Sequence, residues 1–561
     1  MIINKKITLL LLIAPVLLNN LLSFNKKISL IAIITVLISI WFFYGNEKFE
    51  KVNFINEKLN LSKLFTFFLF VTCLITQNVG LQYETLDWDV HSYLVMALDI
   101  DRGFLPLENQ WESKGPVLYY LYNFIFKLSQ SNFVFFKIAN DLLLFVVSIF
   151  IFKSCKLITN NNLLISFSSA LFFILLMSQP WAMSEYSELY SLIFLGLSSF
   201  ITIKNQLNRF NLLVVFTSLS ISTLINQGTI LFVFSFILYY FYILDFQFIR
   251  KNLIYILSGL ALPHLFFLGL YFFNNLIGIY IGTYIDIPLG YTGASLSSVR
   301  ELVVFLRSFF NQDIYLFTGI IFLITVILLD SMSKKFKNLL NPYNFFIVLN
   351  IFTSLLFYFI GSHNYYHHLF FLIFFFSFLP TAINSNEIKI GFLILIFLSS
   401  VVLNLKNFNT SFNNIVYLDS HLENYPIYQA SKMIQDSFED EFTVLALDYV
   451  AVLHYLNKSN FSYIIHPSNH FEPYISTTLI KNNKIREDEV NKLILEGPDV
   501  ILCSGRRIEM GQVVQNKFYN CAISDWNEKY IQIEALIYQN NQFLNFYNDS
   551  YRDVSIYFKK P

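Results

Sequence analysis

A chain of 561 residues with 55% hydrophobic and 14% charged residues and a mean hydropathy of +0.54 is too apolar for a soluble globule. It reads as a polytopic membrane protein. The formal net charge is zero, so nothing points to nucleic acid or to an acidic partner.

The N-terminus carries Lys5 and Lys6 ahead of an apolar run, 7–22, that resembles a signal-peptide core. No small-residue cleavage site follows it, so the run is expected to stay as a first span. Apolar stretches long enough to cross about 30 Å of hydrocarbon fall near 7–24, 29–45, 62–81, 131–152, 162–180, 186–203, 211–226, 228–245, 252–273, 313–329, 343–360, 365–383 and 388–404. That makes about thirteen spans. Lys and Arg gather in alternate connections, at Lys48 to Lys58, Lys153 and Lys156, Lys204 and Arg209, Arg250 and Lys251, and Lys334 to Lys337. Those connections are expected to be cytoplasmic; Lys26 and Lys27 fall on the other side, against the rule. The acidic loop 82–130, the segment Ser184 to Glu188, the loop 274–312, the segment Gly361 to His368 and everything after 404 then share the outer side.

After residue 404 the periodicity changes. Phe442 to Leu447, Phe461 to His466 and Val500 to Cys503 are short β-type runs, Tyr428 to Phe438 and Glu487 to Leu495 have helical spacing, and Tyr530 to Tyr538 and Val554 to Phe558 look like antiparallel additions. The expected architecture is mainly α: a hairpin (1–60), a transmembrane bundle (61–404) and an extracytoplasmic α/β domain (405–561). Leu447-Asp448-Tyr449-Val450-Ala451 lacks the glycines of a phosphate loop, which argues against a nucleotide site. Of the four cysteines, Cys73 and Cys155 lie in or beside spans, and Cys503 and Cys521 are placed to pair if the tail is outside the cytosol; two buried thiols is the alternative.

The stretch from Asp87 to Pro116 packs six carboxylates, Asp87, Asp89, Asp99, Asp101, Glu108 and Glu112, and Lys114 into a chain that otherwise uses little charge. Asp87 and Asp89 begin an expected amphipathic helix with Val90, Tyr93, Leu94, Ala97 and Leu98 on one face. Aspartate there caps free amides; at a desolvated interface it is equally suited to take a proton or hold a divalent ion. Lys114 before Gly115-Pro116 is either a snorkelling lysine or a cation for a lipid phosphate. Glu185 and Glu188 are ordinary interfacial glutamates or partners of Asp89. His363 and His367 stand four apart, a spacing that permits a metal site, though no HExxH glutamate accompanies it. Arg300 and Arg307 lie seven apart on an expected membrane-surface helix.

Trp88-Asp89-Val90-His91-Ser92-Tyr93, then Gly103, Pro106 and Glu112-Ser113-Lys114-Gly115-Pro116 with Tyr119-Tyr120-Leu121, resembles the first outer loop of the GT-C membrane glycosyltransferases. The groups it is most similar to are the protein mannosyltransferases, the aminoarabinose transferases and the rhizobial lipopolysaccharide glycosyltransferases. Val90 stands where that family often has Glu, Leu107 replaces its usual Tyr, and Asn226-Gln227 occupies the place of a Lys-Gln. The resemblance implies transfer of a sugar, with inversion, from a polyprenyl-phosphate-linked donor to a lipid, glycan or protein acceptor. It implies Asp89 as base or metal ligand, with Asp87, Glu185 or Glu188 as the second carboxylate, and a divalent metal ion as the cofactor where one is used. His91, Tyr93 and Glu112 would line the substrate site. Lys114, Arg300 and Arg307 would meet the donor phosphate, and His363, Tyr366, His367 and His368 would orient it. Two other readings stand beside this one: a lipid-linked oligosaccharide flippase, for which Lys137 and Asp141 are the main intramembrane charges, and a non-catalytic scaffold.

Overall fold

The structure, a computed structural model, describes residues 54–85, 87–179, 182, 185–204, 208–294, 298–333, 341–361, 365–383, 386–439, 441–503, 506–509, 512–515, 529–538 and 552–560. The two expected N-terminal spans lie outside the described residues. Five described helical stretches are long and apolar enough to cross a membrane: Leu61–Gly80, Phe133–Ile158, Phe246–Phe273, Pro342–Ile360 and Ile388–Val416. Shorter apolar helices, among them Leu163–Leu176, Arg209–Ile225 and Ile314–Leu328, fill the bundle between them.

The first half of the chain forms α1 (Phe54–Gln77), α2 (Trp88–Asp101), α3 (Pro116–Leu128), α4 (Phe133–Ile158), α5 (Leu163–Leu176), α6 (Ser187–Ile203), α7 (Arg209–Ile225), α8 (Ile230–Ile243) and α9 (Phe246–Phe273). Short side chains start most of the long ones: Asn132, Asn162, Asn208 and Asp245 each accept a hydrogen bond from an amide of the first turn. Such caps satisfy donors that the helix leaves over. The chain continues through α10 (Val299–Gln312), α11 (Ile314–Ser333), α12 (Pro342–Ile360) and α13 (Asn386–Val416).

The tail contains α14 (Pro426–Asp436), β1 (Val444–Ala446), α15 (Ala451–Tyr455), α16 (Pro473–Lys481), α17 (Glu489–Glu496) and β2 (Val500–Cys503). Strands β3 (Arg506–Glu509), β4 (Gln512–Gln515), β5 (Tyr530–Tyr538) and β6 (Arg552–Lys559) complete one six-stranded sheet. β1 and β2 are parallel, with Val444 opposite Val500, and the helices between them make the crossover. β6 is antiparallel to β2 and to β5. Cys503 is disulfide-bonded, whereas Cys73 and Cys155 are free and buried; Cys521 lies outside the described residues.

Two departures from the sequence reading share one cause. The run Phe461 to His466 forms no strand; it contributes a single parallel bridge, Ile464 to Trp111 of the outer loop. Helix α2 is not amphipathic in use, because every residue from Val90 to Ala97 is buried. It packs on α3 from the bundle and on α15 from the tail. The tail therefore sits on the loop, and the two share one apolar core that includes Tyr93, Leu94, Trp111, Ile427, Val452 and Ile464.

Polar links fix the same junction. Trp111 N donates to Tyr463 O at 2.7 Å, and Ile465 N donates to Trp111 O at 3.3 Å. Trp88 Nε1 donates to Asp448 Oδ1 at 2.7 Å. Arg102, where α2 ends and Gly103 turns away at φ +90, donates to Asp99 and to Ser459, each at 2.6 Å.

Candidate active site

Two aspartates two residues apart do different things. Asp87 caps α2: its Oδ1 accepts from the Asp89 and Val90 amides at 3.0 and 3.3 Å, and its Oδ2 accepts from the Tyr186 hydroxyl at 2.6 Å. Both oxygens are engaged. Asp89, one residue into the helix, faces the imidazole of His466 across 3.2 Å and keeps 24% of its side chain exposed. His466 comes from the tail, where the other ring nitrogen meets Ser468 Oγ at 3.0 Å and Trp88 packs edge-on at 5.5 Å.

The electrostatics follow from those contacts. Burial, then the neighbouring Asp89 charge, push Asp87 up to about 6 against the hydrogen bonds from Tyr186 and the Val90 amide. Burial acts on Asp89 in the same sense, but the hydrogen bond and charge of His466, together with the charges of Lys114 and His367, hold it well below the usual carboxylate range. Burial by itself lowers His466; the Asp89 hydrogen bond and the charges of Glu112, Asp89 and Asp87 lift it above its ordinary value. The contact thus favours the ionised form of Asp89 and the protonated form of His466.

Lys114 is set by a close backbone crossing. Gly115 N donates to Ile225 O at 3.2 Å, and a Cβ on Gly115 would lie 2.0 Å from Leu224 O, so only glycine passes there. Gln227 Nε2 pins the adjacent Ser113 carbonyl at 2.7 Å. Lys114 is half-buried and makes no ion pair among the described residues. Glu112 is buried; its oxygens accept from Ser113 at 2.7 and 2.8 Å and from Asn469 of the tail at 3.4 Å. Burial raises its pKa, with His466 opposing and Asp89 adding to the rise.

Tyr93 stands one turn after Asp89 with its hydroxyl buried and unpartnered, within electrostatic reach of Asp89, Glu112 and Glu188. His91 points elsewhere: its Nε2 lies 2.6 Å from Thr85 O, and its ring stacks at 5.0 Å on His454 of the tail. That places His91 in packing between the loop and the tail.

A second cluster adjoins the first. The ligand atoms of Glu188, His367 and His368 lie within 4.8 Å of one another, and all three residues are buried. His367 stacks on Tyr186 at 4.1 Å, so Tyr186 joins this cluster to Asp87. Tyr366 is half-buried at the start of the same turn, and His363 lies outside the described residues. The donors present at Asp89 suit an ion pair with His466, whereas two imidazoles and a carboxylate at Glu188 suit a divalent cation.

Three other expected residues form no hydrogen bond or ion pair with Asp89 among the described residues, although Glu185 lies within electrostatic reach of Asp87. Glu185 faces Lys137 and the Tyr122 hydroxyl holds its carbonyl; burial pushes its carboxyl up to about 7 against the Lys137 charge. Arg300 and Arg307 lie exposed on α10 and make no ion pair among the described residues. The sequence reading missed His466, Ser468 and Asn469, although the polar segment His466-Pro467-Ser468-Asn469-His470 directly after an apolar run was a visible signal.

No protein-family model matches this sequence, and no curated protein matches it. Among solved structures, ArnT from Cupriavidus metallidurans bound to undecaprenyl phosphate is similar over 89% of this chain and 98% of its own, at 10% identity and a TM-score of 0.53. The apo form of ArnT matches over the same shares with a TM-score of 0.51. The Archaeoglobus fulgidus oligosaccharyltransferase tethered with an acceptor peptide covers 82% of this chain at a TM-score of 0.42. At such identity the likeness is one of fold, and that fold is the one of the GT-C membrane glycosyltransferases, the family that the Asp87-to-Pro116 loop resembles.

Proposed function

We propose that this chain moves a sugar from a polyprenyl-phosphate-linked donor to a lipid, glycan or protein acceptor at the extracytoplasmic face of the membrane, with inversion. The observation that carries the reading is Asp89 kept ionised by His466, with the half-buried Lys114 within its electrostatic reach. Departure of a lipid phosphate builds negative charge on the leaving oxygen, which Lys114 would offset. Attack by an acceptor hydroxyl releases a proton, which Asp89 would take as the new bond forms. One base and one cation suffice for a single displacement, which suits inversion. Asp87 would serve as the cap that fixes Asp89, and Glu188 as the second carboxylate of the site. ArnT in complex with undecaprenyl phosphate supports the donor class.

A flippase would keep charges inside its spans free to meet cargo. Lys137 instead donates to Gly80 O and Tyr83 O, each at 2.9 Å, and so is occupied at the end of the first described span.

The test is transfer from a polyprenyl-phosphate-sugar pool to membrane acceptors by the full chain in liposomes. Asp89→Asn is expected to abolish transfer while the protein elutes and melts normally; near-normal transfer by that variant overturns the assignment. Mass analysis of lipid-linked glycans in cells lacking the chain would name the sugar through the donor that accumulates. A tag after residue 561 should be reachable from outside intact cells.

A further inference from the structure

We propose that Glu188, His367 and His368 form a binding site for one divalent transition-metal ion of the zinc class. The inference stands whether or not sugar transfer is the reaction, because it concerns what these three side chains hold.

Glu188 is 1% exposed, and its oxygens accept from Asn226 Nδ2 at 2.8 Å and from Ser187 Oγ at 3.1 Å. Neither donor carries charge, and no Lys or Arg pairs with Glu188 among the described residues. A buried carboxylate without a cation is costly. His368 Nε2 lies 3.9 Å from Glu188 Oε1, too far for a hydrogen bond. Bonds of about 2.0–2.2 Å at tetrahedral angles separate ligand atoms by about 3.3–3.5 Å, so a small contraction seats an ion between them.

The two histidines are held for that role. His368 packs against Gly361, where a Cβ would lie 2.7 Å from its Nδ1; that wall leaves Nε2 as the nitrogen facing Glu188. His367 is 5% exposed, is clamped between Tyr186 and Tyr365, and places a ring nitrogen in the same cluster. Two imidazoles and one carboxylate select zinc-class ions over magnesium or calcium, which prefer all-oxygen shells. Three protein ligands leave a coordination position for water or for an anionic oxygen. Asn226 and Ser187 are the outer partners that orient the carboxylate.

The experiment loads the detergent-purified full chain with zinc or cobalt chloride in the presence of excess magnesium, desalts it, and measures bound metal by mass spectrometry. Cobalt is also followed by its visible absorption. The expected result is close to one zinc or cobalt per chain for the wild type and for Asp89→Asn, falling at least tenfold in Glu188→Gln and in His367→Gln. Asn226→Ala removes only an outer partner and should weaken affinity by about 10–100-fold, which covers the case of a ligand variant that misfolds. Absence of retained zinc or cobalt in the wild type, or retention by folded Glu188→Gln, overturns the proposal. Equal affinity in Asn226→Ala also counts against it. Because the readout is bound metal, a failure here is separate from any failure of sugar transfer.

Discussion

The two halves of the polar site hold their carboxyl groups in different ways. At Asp89 the balancing charge is a side chain, His466, delivered from the tail. At Glu188 the neighbours are an amide, a hydroxyl and two imidazoles, and none is a fixed cation. The first half has its partner inside the chain and depends on the docking of the tail on the loop. The second is complete in shape and leaves its charge to an ion or a bound group. The two halves thus differ in what surrounds their carboxylates.

The largest expected effect breaks the first half directly: Asp89→Asn should lower transfer by about 10²–10⁴-fold, the usual worth of a positioned proton acceptor, in an assay of labelled-sugar incorporation. Next comes the crossing that presents Lys114. Gly115→Ala drives a Cβ into Leu224 O and should cost at least the about 1–3 kcal/mol of an overpacked interior, read as a lower melting temperature with transfer lost.

A subtler cut separates the pair. His466 is lifted by its partners, so its contribution to stability is whole below the ordinary value of about 6.5 and disappears as pH rises through the folded value. Asp89 is depressed by the same contact, so its contribution is present above about 3.9 and disappears only as pH falls through the lower folded value. His466→Gln should therefore melt below the wild type between those limits and converge with it in alkali. The acid limb of its transfer profile should move to higher pH, because Asp89 loses the charge that keeps it ionised. The smallest effect is expected at Arg300→Ala and Arg307→Ala, exposed positions worth within about 0.5 kcal/mol; a large loss of transfer there would bring α10 into the site.

Much of this was readable in sequence where local physics decides. Asp87 begins a helix because a short carboxylate satisfies first-turn amides, and β1, β2, β5 and β6 fall on the runs expected for them. What escaped depends on contacts between distant parts. Helix α2 was expected to show one apolar face, yet the tail covers the other. Phe461 to His466 has strand composition, yet its partner is the edge of Trp111. His466 looked like the polar end of an apolar run, and nothing in its neighbours announces Asp89. Periodicity reports the face that a segment buries; it is silent on which remote segment does the burying.

The bridge between Trp111 and Ile464 also sets an order of events in the making of the protein. Asp89 emerges early from the ribosome and His466 follows 466 − 89 = 377 residues later. At about 5–20 residues per second the loop waits roughly 20–75 s for its imidazole. During that interval the bundle helices can already pack, but Asp89 lacks its His466 partner and α2 lacks the cover of the tail. Biosynthesis thus gives the chain a built-in delay: Asp89 meets its imidazole partner only after the whole bundle between them has been made.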